Sequence, residues 1–180
     1  MSHGWSRLLA GSFAWIALKN RSRSPGGWKS CGFPRSVLQI FESCREPPLS
    51  DRSKDWLAQA ERDLEQAVSS QGEGRHEWAC FAAHQSAEKA VKALHLHRKQ
   101  EVWGHVVARL LNQLPVPVPE DLIEKARVLD GFYIPTRYAN GHPEGAPFEH
   151  YGRLQSRDAI QYAREILQYV RDQMAESPSR

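Results

Sequence analysis

The stretch over residues 76–98, HEWACFAAHQSAEKAVKALHLHR, constrains the fold more than any other part of the chain. Ala79, Cys80, Ala82, Ala83, Ala87, Ala90, Val91 and Leu94 recur at helical spacing, yet they cover more than one face. A surface helix needs a single apolar stripe. Small apolar side chains on several faces suit a central helix that its neighbours approach closely from several sides. The rest of the chain must therefore supply helices to cover it.

Those helices are legible on both sides. Ser50-Asp51 can cap a helix carrying Leu57, Ala60, Leu64, Ala67 and Val68, which QGEG ends. Val106, Val107, Leu110, Leu111 and Leu114 make a third, shorter helix, broken by PVPVP, with Pro119 placed to begin the next. Leu122, Ala126, Leu129 and Tyr133 form the stripe of a fourth helix, which Pro135 stops. Ser156 can start the last, with Ile160, Ala163, Leu167, Val170 and Met174 as its stripe. No segment alternates in the strand manner. The expected architecture is all-α, an up-and-down bundle of four long helices plus a short one, without repeats.

Charge divides the chain. Residues 1–50 hold seven Lys/Arg and two acids, whereas residues 51–180 hold seventeen Lys/Arg and nineteen acids. A near-neutral domain, residues 50–176, thus follows a basic leader, residues 1–49, and precedes a short tail, residues 177–180. Nothing in the domain has the broad basic surface of a protein that binds duplex by charge alone, so any RNA contact has to be local. The leader's apolar run LLAGSFAWIAL is too short to span a bilayer, and the following KNRSRSPGG has no clean small-x-small cleavage site. Disordered tail, organellar targeting segment and over-extended start all stay open for it. Cys31, Cys44 and Cys80 have no CxxC spacing, which argues for a reducing compartment and against a disulfide framework or a zinc site. The expected location is cytoplasmic, or organellar if the leader is a transit peptide.

The candidate chemistry sits in TRYANGHPEGAPFEHYG, residues 136–152. Arg137 and His142 lie between Pro135 and Pro143, with Gly141 allowing a sharp turn, so a stiff loop holds a guanidinium and an imidazole at fixed separation. An arginine fork fits a phosphate and a histidine moves a proton near neutral pH. Together they suffice to attack a phosphodiester through its 2′-hydroxyl without a metal. The competing reading is that Arg137 pairs with Glu144 or Glu149 and staples the loop. Tyr138 and Asn140 join Arg137 as candidate RNA- or nucleotide-binding residues, and Glu88, Lys92 and Glu144 as supporting ones. On the second helix His84, Glu88 and Lys92 are successively four apart, which reads as helix-surface pairing. His95 and His97 point to different sides, so no metal site is expected. Phe132 and Tyr133 read as core, and Tyr138 and Phe148 as an interface rim or base-stacking pair. Trp56, Trp78 and Trp103 read as packing or capping the core, since a stacking platform would need a basic groove beside it.

WACFAAHQSAEKAVKALHLHR, WGHVVARLLNQLP and ARVLDGFYIPTRYANGHPEGAP together resemble the HEPN domain family over about residues 51–174. The resemblance implies a small helical bundle that dimerises, and it aligns Arg137-YANG-His142 with the family's Arg-x4–6-His motif. For active members it implies a metal-independent endoribonuclease without cofactor, an RNA-processing enzyme or, often, the toxin of a toxin–antitoxin pair whose usual partner is a minimal nucleotidyltransferase. Other members are nucleotide-binding or accessory domains. Two positions depart from the active pattern. Tyr138 follows the arginine, where a small polar or acidic residue is usual, and Glu144 stands where some toxins carry a tyrosine that their antitoxin modifies.

Overall fold

The computed structural model describes residues 51–176; the expectations for the leader, for Ser50 as a cap and for the tail lie outside the described residues. The first helix, α1 (Ser53–Gly72), is started by Asp51, whose Oδ1 accepts the Ser53 backbone N–H at 3.1 Å and its hydroxyl at 2.6 Å. It ends as expected in the QGEG stretch, where Gly74 takes a left-handed φ of +77° that a side chain would resist. The chain then turns directly into α2 (His76–His97).

α2 is the central helix. Thirteen of its 22 residues are buried, which no single stripe could produce. Ala60 and Ala67 of α1 and Ala83, Ala87 and Ala90 of α2 are fully buried, and the Ser86 hydroxyl donates to the Ala60 carbonyl at 2.7 Å. A side chain that short reaches a neighbouring helix's backbone only where the two axes lie close, which the alanines permit.

The last helix, α6 (Arg153–Ala175), packs on both α1 and α2 and buries Ala159, Ile160, Ala163, Ile166, Leu167 and Val170. The stripe is the expected one, but the helix begins three residues before Ser156. The Gly152 N–H is met by Gln155 Oε1 at 2.9 Å, while the buried Ser156 hydroxyl joins Gln71 and His76 at 3.0 Å each. Ser156 therefore ties α6 to the α1–α2 junction instead of capping it.

Two shorter helices close the bundle, α3 (Val107–Asn112) and α4 (Glu120–Asp130), the second beginning after Pro119. The Asp130 carboxylate accepts the Val107 and Ala108 N–H groups at 2.6 and 3.1 Å, which caps α3 from the far end of α4. Hydrogen bonds to a charged acceptor contribute about 1.5–3 kcal/mol, so this residue fixes the corner between the two helices. α4 stops at Asp130, five residues before the proline expected to stop it. From Gly131 the bonds tighten to three-residue spacing: Gly131 N–H to Val128, Phe132 to Leu129, Tyr133 to Asp130. The intervening loop contains a 3₁₀ turn (Ala139–Gly141) and a one-turn helix, α5 (Pro147–His150), that periodicity could not reveal. Among the described residues there is no strand, and no helix is long and apolar enough to cross a membrane.

Candidate functional site

A helix end leaves its last carbonyls without intrahelical partners. The turns after α4 expose a run of such carbonyls, and the motif loop answers them with side chains. Thr136, buried, donates its hydroxyl to the Phe132 carbonyl at 2.5 Å. The Arg137 guanidinium donates from Nε and Nη2 to the Tyr133 carbonyl at 2.9 and 2.6 Å. His142 Nε2 lies 2.9 Å from the Pro135 carbonyl. Arginine and histidine are thus anchored two residues apart on one turn, although they are five apart in the chain.

The anchoring also sets the chemistry each group has left. A carbonyl only accepts, so His142 Nε2 carries the hydrogen, and in the neutral ring the basic lone pair is on Nδ1. Arg137 has five N–H donors and uses two on Tyr133, leaving three for an anion. The guanidinium lies over three aromatic rings, 4.4 Å from the centroid of Phe81, 4.7 Å from Tyr133 and 5.1 Å from Tyr138. These rings hold its plane in place while the charge stays available.

Gly141 matters through contact more than conformation. Its φ is not positive, but a Cβ there would lie 2.9 Å from the Pro135 Cα. The close approach is what lets His142 reach back to the Pro135 carbonyl. On its other side the His142 ring stacks on His150, with centroids 3.9 Å apart and planes at 2°, and meets Tyr151 edge-on at 5.8 Å. His150 Nε2 donates to the Glu144 carbonyl at 2.7 Å, so Glu144 serves the site through its backbone. Arg137 forms no ion pair with Glu144 or Glu149 among the described residues; the Glu149 carboxylate accepts the Ala146 N–H instead. The staple is real, but its partners are carbonyls.

Glu88 and Lys92 come to the same place from α2. Their 2.9 Å ion pair is not a surface pair, since the side chains are only 6% and 15% exposed. Glu88 also accepts His105 Nδ1 at 3.1 and 3.2 Å, and the His105 ring stacks on Tyr133 with centroids 4.9 Å apart. Contact therefore runs without a break from Lys92 through Glu88, His105 and Tyr133 to Arg137. His84 does not bond Glu88 as their shared face implied. Fully buried, it donates Nε2 to the His105 carbonyl at 3.0 Å, and Gln85 lies between its Nδ1 and Glu88. Among the described residues no group of three or more His, Cys, Asp or Glu is placed to hold a metal ion.

Of the remaining candidates, Tyr138 and Asn140 sit exposed on the outer side of the loop, and Phe148 is exposed as well. Phe132 packs against the core and Tyr133 is half-buried under the guanidinium. Trp78 and Trp103 do not pack into the core as expected: they are 49% and 86% exposed. Sequence reading missed Phe81, His105 and His150, because each meets the motif only through the tertiary fold. The one available signal was a glycine, Gly104, directly before His105; it takes a φ of +111° where the chain turns to bring His105 to Glu88 of α2.

The fold agrees with what similarity shows. The family model described as "HEPN domain" matches residues 53–173. A solved structure from Thermus thermophilus is 50% identical, aligned over 68% of this chain and 98% of that one, with a TM-score of 0.68. An archaeal HEPN homologue is 41% identical over 68% and 98%, with a TM-score of 0.61. An HEPN domain protein from Thermotoga maritima is 30% identical over 68% and 99%, with a TM-score of 0.57. No curated protein matches the chain.

Proposed function

The chain belongs to the HEPN domain family, and from that premise we propose that it is a metal-independent endoribonuclease acting through Arg137 and His142. The observation that carries this reading is the pair of carbonyl anchors at Tyr133 and Pro135. They leave a basic imidazole nitrogen and three guanidinium donors on one rigid turn.

In the proposed reaction His142 Nδ1 takes the proton of a 2′-hydroxyl, and O2′ attacks the adjacent phosphorus. The P–O5′ bond breaks, and the proton that His142 Nδ1 took passes to the leaving oxygen as the 5′-hydroxyl, which leaves a 2′,3′-cyclic phosphate and restores the neutral imidazole. Arg137 stabilises the extra charge on the phosphorane. Tyr138 and Asn140, exposed beside it, contact the strand. Glu88 and Lys92 support Arg137 through His105 and Tyr133. A homodimer would bring two such loops to one phosphate through an isologous contact, and the exposed Ile134, Tyr138 and Phe148 supply apolar surface for it. A nucleotidyltransferase antitoxin is a partner compatible with this reading, although Glu144 in place of a tyrosine gives no support to inactivation by modification at that position.

A second reading is favoured by one specific feature. Two of the Arg137 donors are already spent on Tyr133, which suits a loop that grips a nucleotide phosphate without cutting it, as in an accessory or nucleotide-binding domain. The test is to incubate the full chain in EDTA with an oligoribonucleotide and its 2′-O-methyl counterpart. Cleavage of the first alone is expected. Cleavage of neither, with saturable nucleotide binding that Arg137→Ala removes, would establish the second reading.

A further inference from the structure

Phe81, which stacks beneath the Arg137 guanidinium, is also a wall of a groove between α1 and α2. The groove encloses about 460 Å³, within the roughly 300–1,000 Å³ of small-ligand clefts. Trp78 and Phe81 form its aromatic corner, with ring centroids 6.0 Å apart and planes at 77°. Trp78 is 49% exposed, a large indole surface left open at the mouth.

We propose that this groove is a stacking subsite for one unpaired nucleobase of the RNA strand whose phosphate Arg137 holds, with Trp78 as the stacking side chain. The proposal rests on the reading that Arg137 holds an RNA phosphate. Charge decides which part of the nucleotide enters. The lining acids and bases neutralise one another, Asp63 with Lys89 at 2.5 Å and Glu73 with Arg75 at 3.5 Å. A phosphate would find no net positive charge there, whereas a neutral, planar base needs only an aromatic face and edge partners. Gln66 and Gln85 line the same groove and supply amide donors and acceptors. Backbone charge is met next door at Arg137, one ring away. Stacking requires the base to be splayed out of a helix, so the substrate class is single-stranded RNA.

The test measures binding of an uncleavable 2′-O-methyl tetranucleotide to the full chain. A set of the same probe lacking one base in turn is measured alongside. Removing one particular base is expected to weaken wild-type binding by about tenfold. Trp78→Ala should lose about the same factor with the intact probe and become indifferent to that base, while Trp78→Phe retains most of the affinity. Trp78 lies outside the core, so matched melting curves are expected for all three proteins. Equal affinity of wild type and Trp78→Ala, or no binding by wild type, overturns the subsite. Cleavage of unmodified RNA is read separately. Base-dependent binding without cleavage keeps the subsite and sinks the ribonuclease reading, and cleavage with binding indifferent to Trp78 does the reverse.

Discussion

Replacing Gly141 by alanine adds one methyl group at the tightest point of the candidate site. The new Cβ would lie 2.9 Å from the Pro135 Cα and 3.2 Å from its Cβ, against an ordinary contact of 3.4 Å or more. Relief therefore takes a displacement of about 0.5 Å, and the atoms that must yield are backbone and a proline ring, which cannot rotate away. Pro135 is also the residue whose carbonyl holds His142 at 2.9 Å, so pushing the two apart stretches that bond beyond useful length. Overpacking costs about 1–3 kcal/mol, and the smaller conformational freedom of alanine in the unfolded chain returns about 0.4–1 kcal/mol. The net loss is about 0–2.6 kcal/mol, near 1.3 kcal/mol at the centre of both ranges, a fall of roughly 5 °C in melting temperature for a domain of this size. Since a 1 Å misplacement can cost about a hundredfold in rate, half of that costs on the order of tenfold. Scanning calorimetry and RNA cleavage on the full chain measure both. An alanine variant that melts at or above the wild-type temperature and cuts equally well would refute the contact argument.

Asp130→Ala removes both acceptors from the start of α3, at a cost of about 1–3 kcal/mol, seen as an earlier thermal melt with retained helicity at low temperature. Arg137→Lys keeps the charge but not the planar fork that grips Tyr133, so cleavage should fall at least tenfold while the melting temperature moves little. Burial pushes the Cys80 thiol up to about 12, chiefly by desolvation of the thiolate. Between about pH 9 and 12 the unfolded thiol ionises and the folded one does not, so the unfolded state binds fewer protons and stability falls with rising pH. The slope from this group is about 1.4 kcal/mol per pH unit, and Cys80→Ala should flatten the pH dependence of denaturant midpoints in that window.

The bundle was legible because its signal is local and repeated. The multi-face alanines of α2 demanded neighbours on several sides, and the stripes of Ile160 to Val170 and Leu122 to Leu129 met that demand at helical spacing. Boundaries were less legible where tertiary partners set them. Asp130, not a local residue, caps α3, and the three-residue turns after Gly131 end α4 before Pro135 has any influence. Arg137 and His142 stood out in sequence through their types and spacing in a proline-bounded loop, a pattern that a loop staple explained as readily as chemistry until the family resemblance was added. What periodicity could not supply was their support. His105 reaches Tyr133 only through the fold, and Glu88 and Lys92 gave the pattern of an exposed helix pair until His105 met the first and Trp56 of α1 the second. Trp103 went the other way, since an indole is usually sheltered and here it is open to solvent.

The claim that most of this depends on is that His142 moves a proton. The direct measurement is end-group analysis of RNA after incubation in EDTA with the full chain, as wild type and as His142→Ala. 2′,3′-Cyclic phosphate and 5′-hydroxyl ends produced by wild type alone, with similar melting curves for both proteins, are the predicted result. Equal cleavage by both, or none by either, would contradict it.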